Sequence, residues 1–168
     1  MISKVAPLDQ AVITLRRLTP TDGPQAGEVF FDAVQRGTTE FYTQEQRSAW
    51  AGTTLNRQAW QTRLSGCDGF AAIHTDQLVG FMTIDKTGYI DLAFVRADYL
   101  GQGIGTRLFH AVETTAQATK IDQLSTHASL KAQPFFAARG FATQQQQEVI
   151  VNNVAMTNFV MIKNITNS

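Results

Sequence analysis

The segment Leu100-Gly101-Gln102-Gly103-Ile104-Gly105-Thr106 decides how this chain reads. Before it lies a strand-like run, Tyr89-Ile90-Asp91-Leu92-Ala93-Phe94-Val95, and a helix-like run opens near Ile104. Three glycines spaced by two therefore stand where a strand gives way to a helix. Glycine lets a ligand come close to the main chain. The first turn of a helix leaves its amide N–H groups without partners, and the helix dipole adds partial positive charge there. Together these features imply a site for a phosphate-bearing ligand, made from backbone.

Working upstream, Val12 to Leu18 alternates apolar and polar residues and predicts a first strand. The cluster Thr19-Pro20-Thr21-Asp22-Gly23-Pro24 predicts a turn that also caps a helix. Gln25 to Arg36 places Ala26, Val29, Phe30 and Ala33 on one helical face, with Gly37 as its stop. A second helix is predicted over Phe41 to Trp50, with Thr43 and Gln46 as a capping box, and a third from Arg57 to Leu64. Phe70 to Val95 reads as a three-stranded antiparallel meander: Phe70–His74, Leu78–Ile84 and Tyr89–Val95.

Downstream, Ile104 to Thr119 is a helix with Leu108, Ala111, Val112, Thr115 and Ala116 on one face. Leu124–His127 is a short strand. Lys131 to Arg139 is a helix in which Pro134 is tolerable only within the first turn, and Gly140 fits its stop. Glu148–Val151 and Met156–Lys163 form a hairpin around Asn152-Asn153. Gln144–Gln147 is a polar loop or an exposed strand start. No repeat and no linker divides the chain, so one domain over residues 1–168 is expected.

Composition narrows the class. A chain of 168 residues can bury a core, and 43% hydrophobic against 17% charged residues marks it as globular. Fourteen acidic residues balance fourteen basic ones, which argues against a general nucleic-acid binder. No apolar stretch approaches the ~18–20 residues that span a bilayer, and Met1 to Gln10 lacks a secretory pattern. Cys67 is the single cysteine, so a reducing, cytoplasmic setting is expected, with the thiol structural or incidental. His74, His110 and His127 show no metal-ligand spacing, and no metal is expected.

The glycine spacing excludes two phosphate loops. A dinucleotide fingerprint needs its third glycine one residue later, where Thr106 stands, and a parallel unit before it; Asp122 alone sits where a ribose-binding acid would. A nucleoside-triphosphate loop needs a Gly-Lys-Ser/Thr ending, which is missing. Val95 through Gly105 instead resembles the acyl-CoA loop of the GNAT N-acetyltransferase superfamily, Arg/Gln-x-x-Gly-x-Gly/Ala, with Leu100 departing at the leading position. Phe135-Phe136-Ala137-Ala138-Arg139-Gly140-Phe141 resembles that family's late helix, and Thr126-His127-Ala128-Ser129 the strand end before it. Gly88–Asp91, Tyr42–Trp50 and Met161–Lys163 are similar to a bacterial branch of small GNAT enzymes, so the likeness runs from Val12 to Lys163.

The resemblance implies an α/β fold with a mixed, mostly antiparallel sheet flanked by helices. It implies acetyl-CoA as cosubstrate and acetyl transfer to a primary amine of a small molecule or protein. Phe94, Val95, Gly101, Gln102, Gly103, Ile104, Gly105, Thr106, Ser129, Phe135 and Phe136 would line the acetyl-CoA site, and the oxyanion would meet backbone around Leu92, Ala93 and Phe94. Arg107 is either a further pyrophosphate contact or a surface charge. Asp91 interrupts an apolar strand and is the first candidate for base, against a role at a strand edge; His127 is the second. The family's late-helix tyrosine, its usual acid, is Phe136 here, which leaves Ser129, Tyr89 or water to protonate the thiolate; Ser129 alternatively bonds the CoA arm. Tyr42, Trp50 and Trp60 are candidate walls of the amine site, against a plain core role. A homodimer through the C-terminal strands is compatible with the family. The competing reading is an acyl-CoA-binding sensor without turnover.

Overall fold

The computed structural model of the chain describes residues 12–165. The predicted character of Met1–Gln10 lies outside them. Eight strands and five helices follow in order: β1 (Ile13–Arg17), α1 (Gly23–Gln35), α2 (Gln44–Ala51), α3 (Arg57–Leu64), β2 (Asp68–His74), β3 (Gln77–Ile84), β4 (Tyr89–Ile90), β5 (Ala93–Val95), α4 (Ile104–Ala118), β6 (Gln123–Ser129), α5 (Ala132–Ala138), β7 (Ala142–Val151) and β8 (Val154–Asn164). Local chemistry explains most boundaries. Thr43 Oγ1 accepts from Gln46 N at 3.1 Å while Thr43 N donates to Gln46 Oε1, so the capping box starts α2 at Gln44 and excludes Phe41 and Tyr42. Pro134 falls in the first turn of α5, where no N–H is needed. Asn152 and Asn153 both adopt positive φ and close a two-residue hairpin between Val151 and Val154.

One sequence expectation is corrected and one alternative is decided. The run Tyr89–Val95 is not one strand. It breaks at Asp91-Leu92: β4 pairs in parallel with β6, whereas β5 pairs antiparallel with β3. The antiparallel run therefore continues from β3 to β5 and leaves β4 out, and the strands form two four-stranded sheets, β1-β2-β3-β5 and β4-β6-β8-β7, with the chain crossing from one to the other between β4 and β5. Of the two readings of Gln144–Gln147 the strand holds, because Gln145, Gln146 and Gln147 pair with β8.

Alternation in β2 and β3 supplies two apolar faces. Ala72, Val79, Met82 and Ile84 pack under Ile104, Leu108 and Val112 of α4. Ala71, Leu78 and Phe81 face Ala26 and Val29 of α1 and Trp60 and Leu64 of α3. Trp60, a candidate wall residue, is thus core: it packs on Phe30 (4.9 Å between ring centroids) and Phe81 (6.1 Å).

The turn before α1 is fixed by charge. Asp22 is buried and takes both Arg16 Nη1 and Nη2 at 2.8 Å, plus Thr19 N at 2.8 Å. Burial alone would raise this carboxyl, but the Arg16 and Thr19 hydrogen bonds outweigh it and hold it below the usual carboxylate range. A depressed folded-state pKa contributes stability above the unfolded value near 3.9, lost as pH falls through the folded one. Asp22→Asn is expected to lower unfolding free energy by about 2 kcal/mol at pH 7, with the gap from the parent closing on acidification below about pH 4, as read by urea melts across pH.

Candidate active site

The split at Asp91-Leu92 creates the site. Thr83 N donates to Leu92 O at 2.9 Å, Leu92 N donates to Thr83 Oγ1 at 3.1 Å, and Arg96 N donates to Val79 O at 2.9 Å. With the register Phe81–Phe94 and Gly80–Val95 between them, the even residues of this run turn their backbone toward β3. The period of two then turns the N–H and C=O of Ala93 and Val95 the other way, into the gap between the sheets. Thr83→Val would orphan the buried Leu92 amide, at a cost of about 1–3 kcal/mol. We expect that variant to melt lower and to lose kcat at the gap while retaining affinity for a ligand on the glycine loop.

Two cavities meet at this gap. The first, about 320 Å³, runs from β5 past the glycine loop to α5 and includes Val95, Gly101, Gly103, Thr106, Phe135 and Arg139. The second, about 420 Å³, opens beside β4 and the β7–β8 hairpin and includes Arg63, Tyr89, Asp91, His127, Met156 and Asn158. Trp50, Ala93, Phe94, Ser129, Ala132 and Phe136 border both. Of the residues expected to hold the acyl carrier, Phe94, Val95, Gly101, Gly103, Ile104, Gly105, Thr106, Ser129, Phe135 and Phe136 line the first cavity, and Gln102 does not.

The loop leaves room and free amides for an anion. Gly101 and Gly103 hold φ of +78° and +79°, and a Cβ on either would meet nothing within 4 Å. That open space lies at the N-terminus of α4, whose first intrahelical bond runs from Arg107 N to Gly103 O. The amides of Ile104, Gly105 and Thr106 thus have no intrahelical partner. Gly105 serves packing instead: a Cβ there would lie 3.0 Å from Phe135 Cε1.

Arg139 lay unnoticed inside the late-helix motif. Its guanidinium stacks 3.7 Å over the Phe135 ring, donates to Phe135 O at 2.8 Å and hydrogen-bonds Thr106 Oγ1. Its Nε is buried without a hydrogen-bond partner, and burial pushes its pKa below the usual value. The i,i+4 spacing from Phe135 was the available signal. Arg107 takes a different part: it donates to Ile13 O at 2.9 Å and ties α4 to β1. Lys131 also lines the first cavity and donates to Gly37 O at 2.8 Å; burial lowers its pKa.

The four candidate proton-transfer residues, Tyr89, Asp91, His127 and Ser129, share the second cavity. Tyr89 packs against His127 with centroids 5.5 Å apart, nearly perpendicular. Burial, reinforced by Asp91 and Asp85, raises the Tyr89 phenol, which keeps its proton at neutral pH. Asp91 is half exposed and paired with Arg63 at 3.2 Å. Tyr42 lines the same cavity with its ring, but its hydroxyl is committed, donating to Thr157 O at 2.7 Å and accepting from Leu130 N at 2.9 Å. Trp50 borders both cavities. Ser129 Oγ accepts from Ala132 N, the first residue of α5, at 3.1 Å, which leaves its proton to donate. Phe136 is a buried ring with no proton to give. Cys67 donates its thiol to Arg63 O, and burial followed by Asp91 raises its pKa, as suits an inert thiol. Among the described residues no group of His, Cys, Asp and Glu could hold a metal ion, and no helix is long and apolar enough to cross a membrane.

The family model described as "Acetyltransferase (GNAT) domain" matches residues 38–163. The chain belongs to the GNAT acetyltransferase family. It is 32% identical over 149 residues to the uncharacterized N-acetyltransferase YafP of Escherichia coli K12, covering 89% of this chain and 94% of that protein. A GCN5-related N-acetyltransferase of known structure from Rhodopseudomonas palustris is also 32% identical, with a TM-score of 0.84 over 90% of this chain and 95% of the other. The fold likeness extends to yncA of Salmonella typhimurium, a putative acetyltransferase solved with its cofactor acetyl-CoA: 13% identity, TM-score 0.68, 93% and 95% covered. The fold is the GNAT α/β fold, and the chain is an acetyltransferase by family.

Proposed function

We propose that this enzyme transfers an acetyl group from acetyl-CoA to a primary amine by direct attack. The observation that carries this reading is the meeting of an anion-cradled cavity with a second cavity at the outward-turned backbone of Ala93. The cradle of Gly101, Gly103 and the Ile104–Thr106 amides suits the pyrophosphate, with Arg139 as the nearby cation. Val95 presents its amide and carbonyl to the pantetheine arm, and Ala93 N–H is the donor for the oxyanion.

An alkylamine with pKa near 10.4 is neutral in only about one molecule in 10³ at pH 7, so removal of its proton helps. Asp91 and His127 both face the acceptor cavity and serve as bases through water. The carbon–nitrogen bond forms and the carbon–sulfur bond breaks. Tyr89, with its raised pKa, or Ser129 supplies a proton to the sulfur. If neither does, departure as thiolate costs about 2 kcal/mol at pH 7 for a thiol near 8.5. A CoA thioester and one free cysteine fit a reducing, cytoplasmic setting.

Phe136 at the acid position and the Arg63–Asp91 pair favour a second reading, an acyl-CoA sensor without turnover. Free thiol is followed while the protein meets acetyl-CoA and a broad amine panel. Amine-dependent thiol release establishes transfer. Tight acetyl-CoA binding with no release from any amine establishes the sensor, and failure to bind any CoA ester removes both.

A further inference from the structure

The second cavity carries a clue to the class of amine, given the acetyl-transfer reading. Asn158 of β8 pairs with Ser129 of β6. Paired residues of an antiparallel ladder present their side chains on one face, about 5 Å apart. Ser129 borders both cavities, whereas Asn158 lines the acceptor side. Asn158 Oδ1 is buried and has no hydrogen-bond partner. Such an oxygen is unfavourable in a native structure unless something donates to it. The lining is mixed: Trp50, Phe94, Val149, Val151 and Met156 give it an apolar part, and Tyr89, Thr126, His127 and Thr157 a polar one. The acidic and the guanidinium group of the cavity, Asp91 and Arg63, are bonded to each other, so neither a second ammonium nor a carboxylate on a ligand meets an unmatched charge.

We propose that the acceptor is a primary amine on a short apolar body with no second charge, and that Asn158 Oδ1 takes an N–H of its reacting nitrogen beside Ser129. The neutral amine then keeps its lone pair for the thioester carbon. As the carbon–nitrogen bond forms, sulfur leaves with the electron pair of the carbon–sulfur bond, and the surplus amine proton passes to water.

The test reads binding without turnover. Amines are titrated by calorimetry into the protein saturated with free CoA: 2-phenylethylamine, 1,4-diaminobutane and β-alanine. 2-Phenylethylamine is expected to bind at least tenfold tighter than the other two. Asn158→Leu, which keeps the volume and removes the oxygen, is expected to weaken it about tenfold while CoA affinity stays within twofold. Equal or tighter binding of diaminobutane or β-alanine overturns the proposal with no variant needed, and so does an Asn158→Leu protein that binds 2-phenylethylamine like the parent. A parent protein that fails to bind CoA overturns the acetyl-transfer reading and this inference with it, whereas CoA binding with the wrong order of amines overturns this inference alone.

Discussion

Gly103→Asp is expected to weaken acetyl-CoA binding by at least 100-fold in calorimetric titration. Two effects act together. The backbone at this position has φ of +79°, a left-handed conformation that costs an L-residue about 1–2 kcal/mol, less for Asp and Asn. The larger effect is charge. The new carboxylate would occupy open space at the N-terminus of α4, where the proposed cradle would receive the pyrophosphate. Two like charges about 4 Å apart repel by about 4 kcal/mol at an effective dielectric near 20. Gly103→Asn separates the two contributions, because it shares the backbone preference without the charge. It is expected to bind only a few-fold more weakly than the parent, and both variants should melt within a few degrees of each other. Asp and Asn variants of equal affinity would show that no anion sits on this loop.

This loop was legible because its chemistry is local. Glycines at positive φ, the Thr43–Gln46 capping box, Pro134 in a first turn and the Asn152-Asn153 hairpin are each written within a few residues. The break at Asp91-Leu92 was not, because both halves of Tyr89–Val95 carry strand-like residues and nothing local distinguishes them. What separates them lies elsewhere in the chain. Thr83 Oγ1 receives Leu92 N–H and holds β5 against β3, while Thr126 Oγ1 donates to Ile90 O at 2.8 Å and holds β4 against β6. Alternation tells which face a side chain takes, not which strand its backbone will meet.

The same limit governs the site residues. Tyr42 and Trp60 both read as aromatic wall candidates. One was tied by its hydroxyl to Thr157 and Leu130, and the other buried on Phe81, by contacts spanning much of the chain. Arg107, adjacent to the loop in sequence, went to Ile13, and Arg139, 33 residues past Thr106, came to the loop.

Arg139 carries the second large expectation. Several cations elsewhere meet carboxylates: Arg16 meets Asp22, Arg57 and Arg96 meet Glu28, and Lys163 meets Glu113. Arg139 instead holds a hydroxyl and a carbonyl, with Nε buried and unpartnered beside an open cradle. A desolvated guanidinium in that position gains from an anion, and a charge-assisted hydrogen bond is worth about 1.5–3 kcal/mol. Arg139→Gln is therefore expected to weaken acetyl-CoA binding roughly tenfold to a hundredfold and to flatten its dependence on salt. Dephospho-CoA, which keeps the pyrophosphate and lacks the 3′-phosphate, should lose affinity by the same factor. A loss confined to CoA would place the guanidinium on the 3′-phosphate instead. Leu100 offers the complementary change. It is an exposed apolar side chain (42%) immediately before the first loop glycine, where the family pattern has Arg or Gln. Leu100→Arg on the Arg139→Gln background returns a cation to the loop from the opposite end and is expected to recover most of the lost affinity. Recovery would show that the cradle needs one guanidinium but not a particular helix to carry it; an Arg139→Gln protein with parental affinity would show that backbone amides alone hold the pyrophosphate.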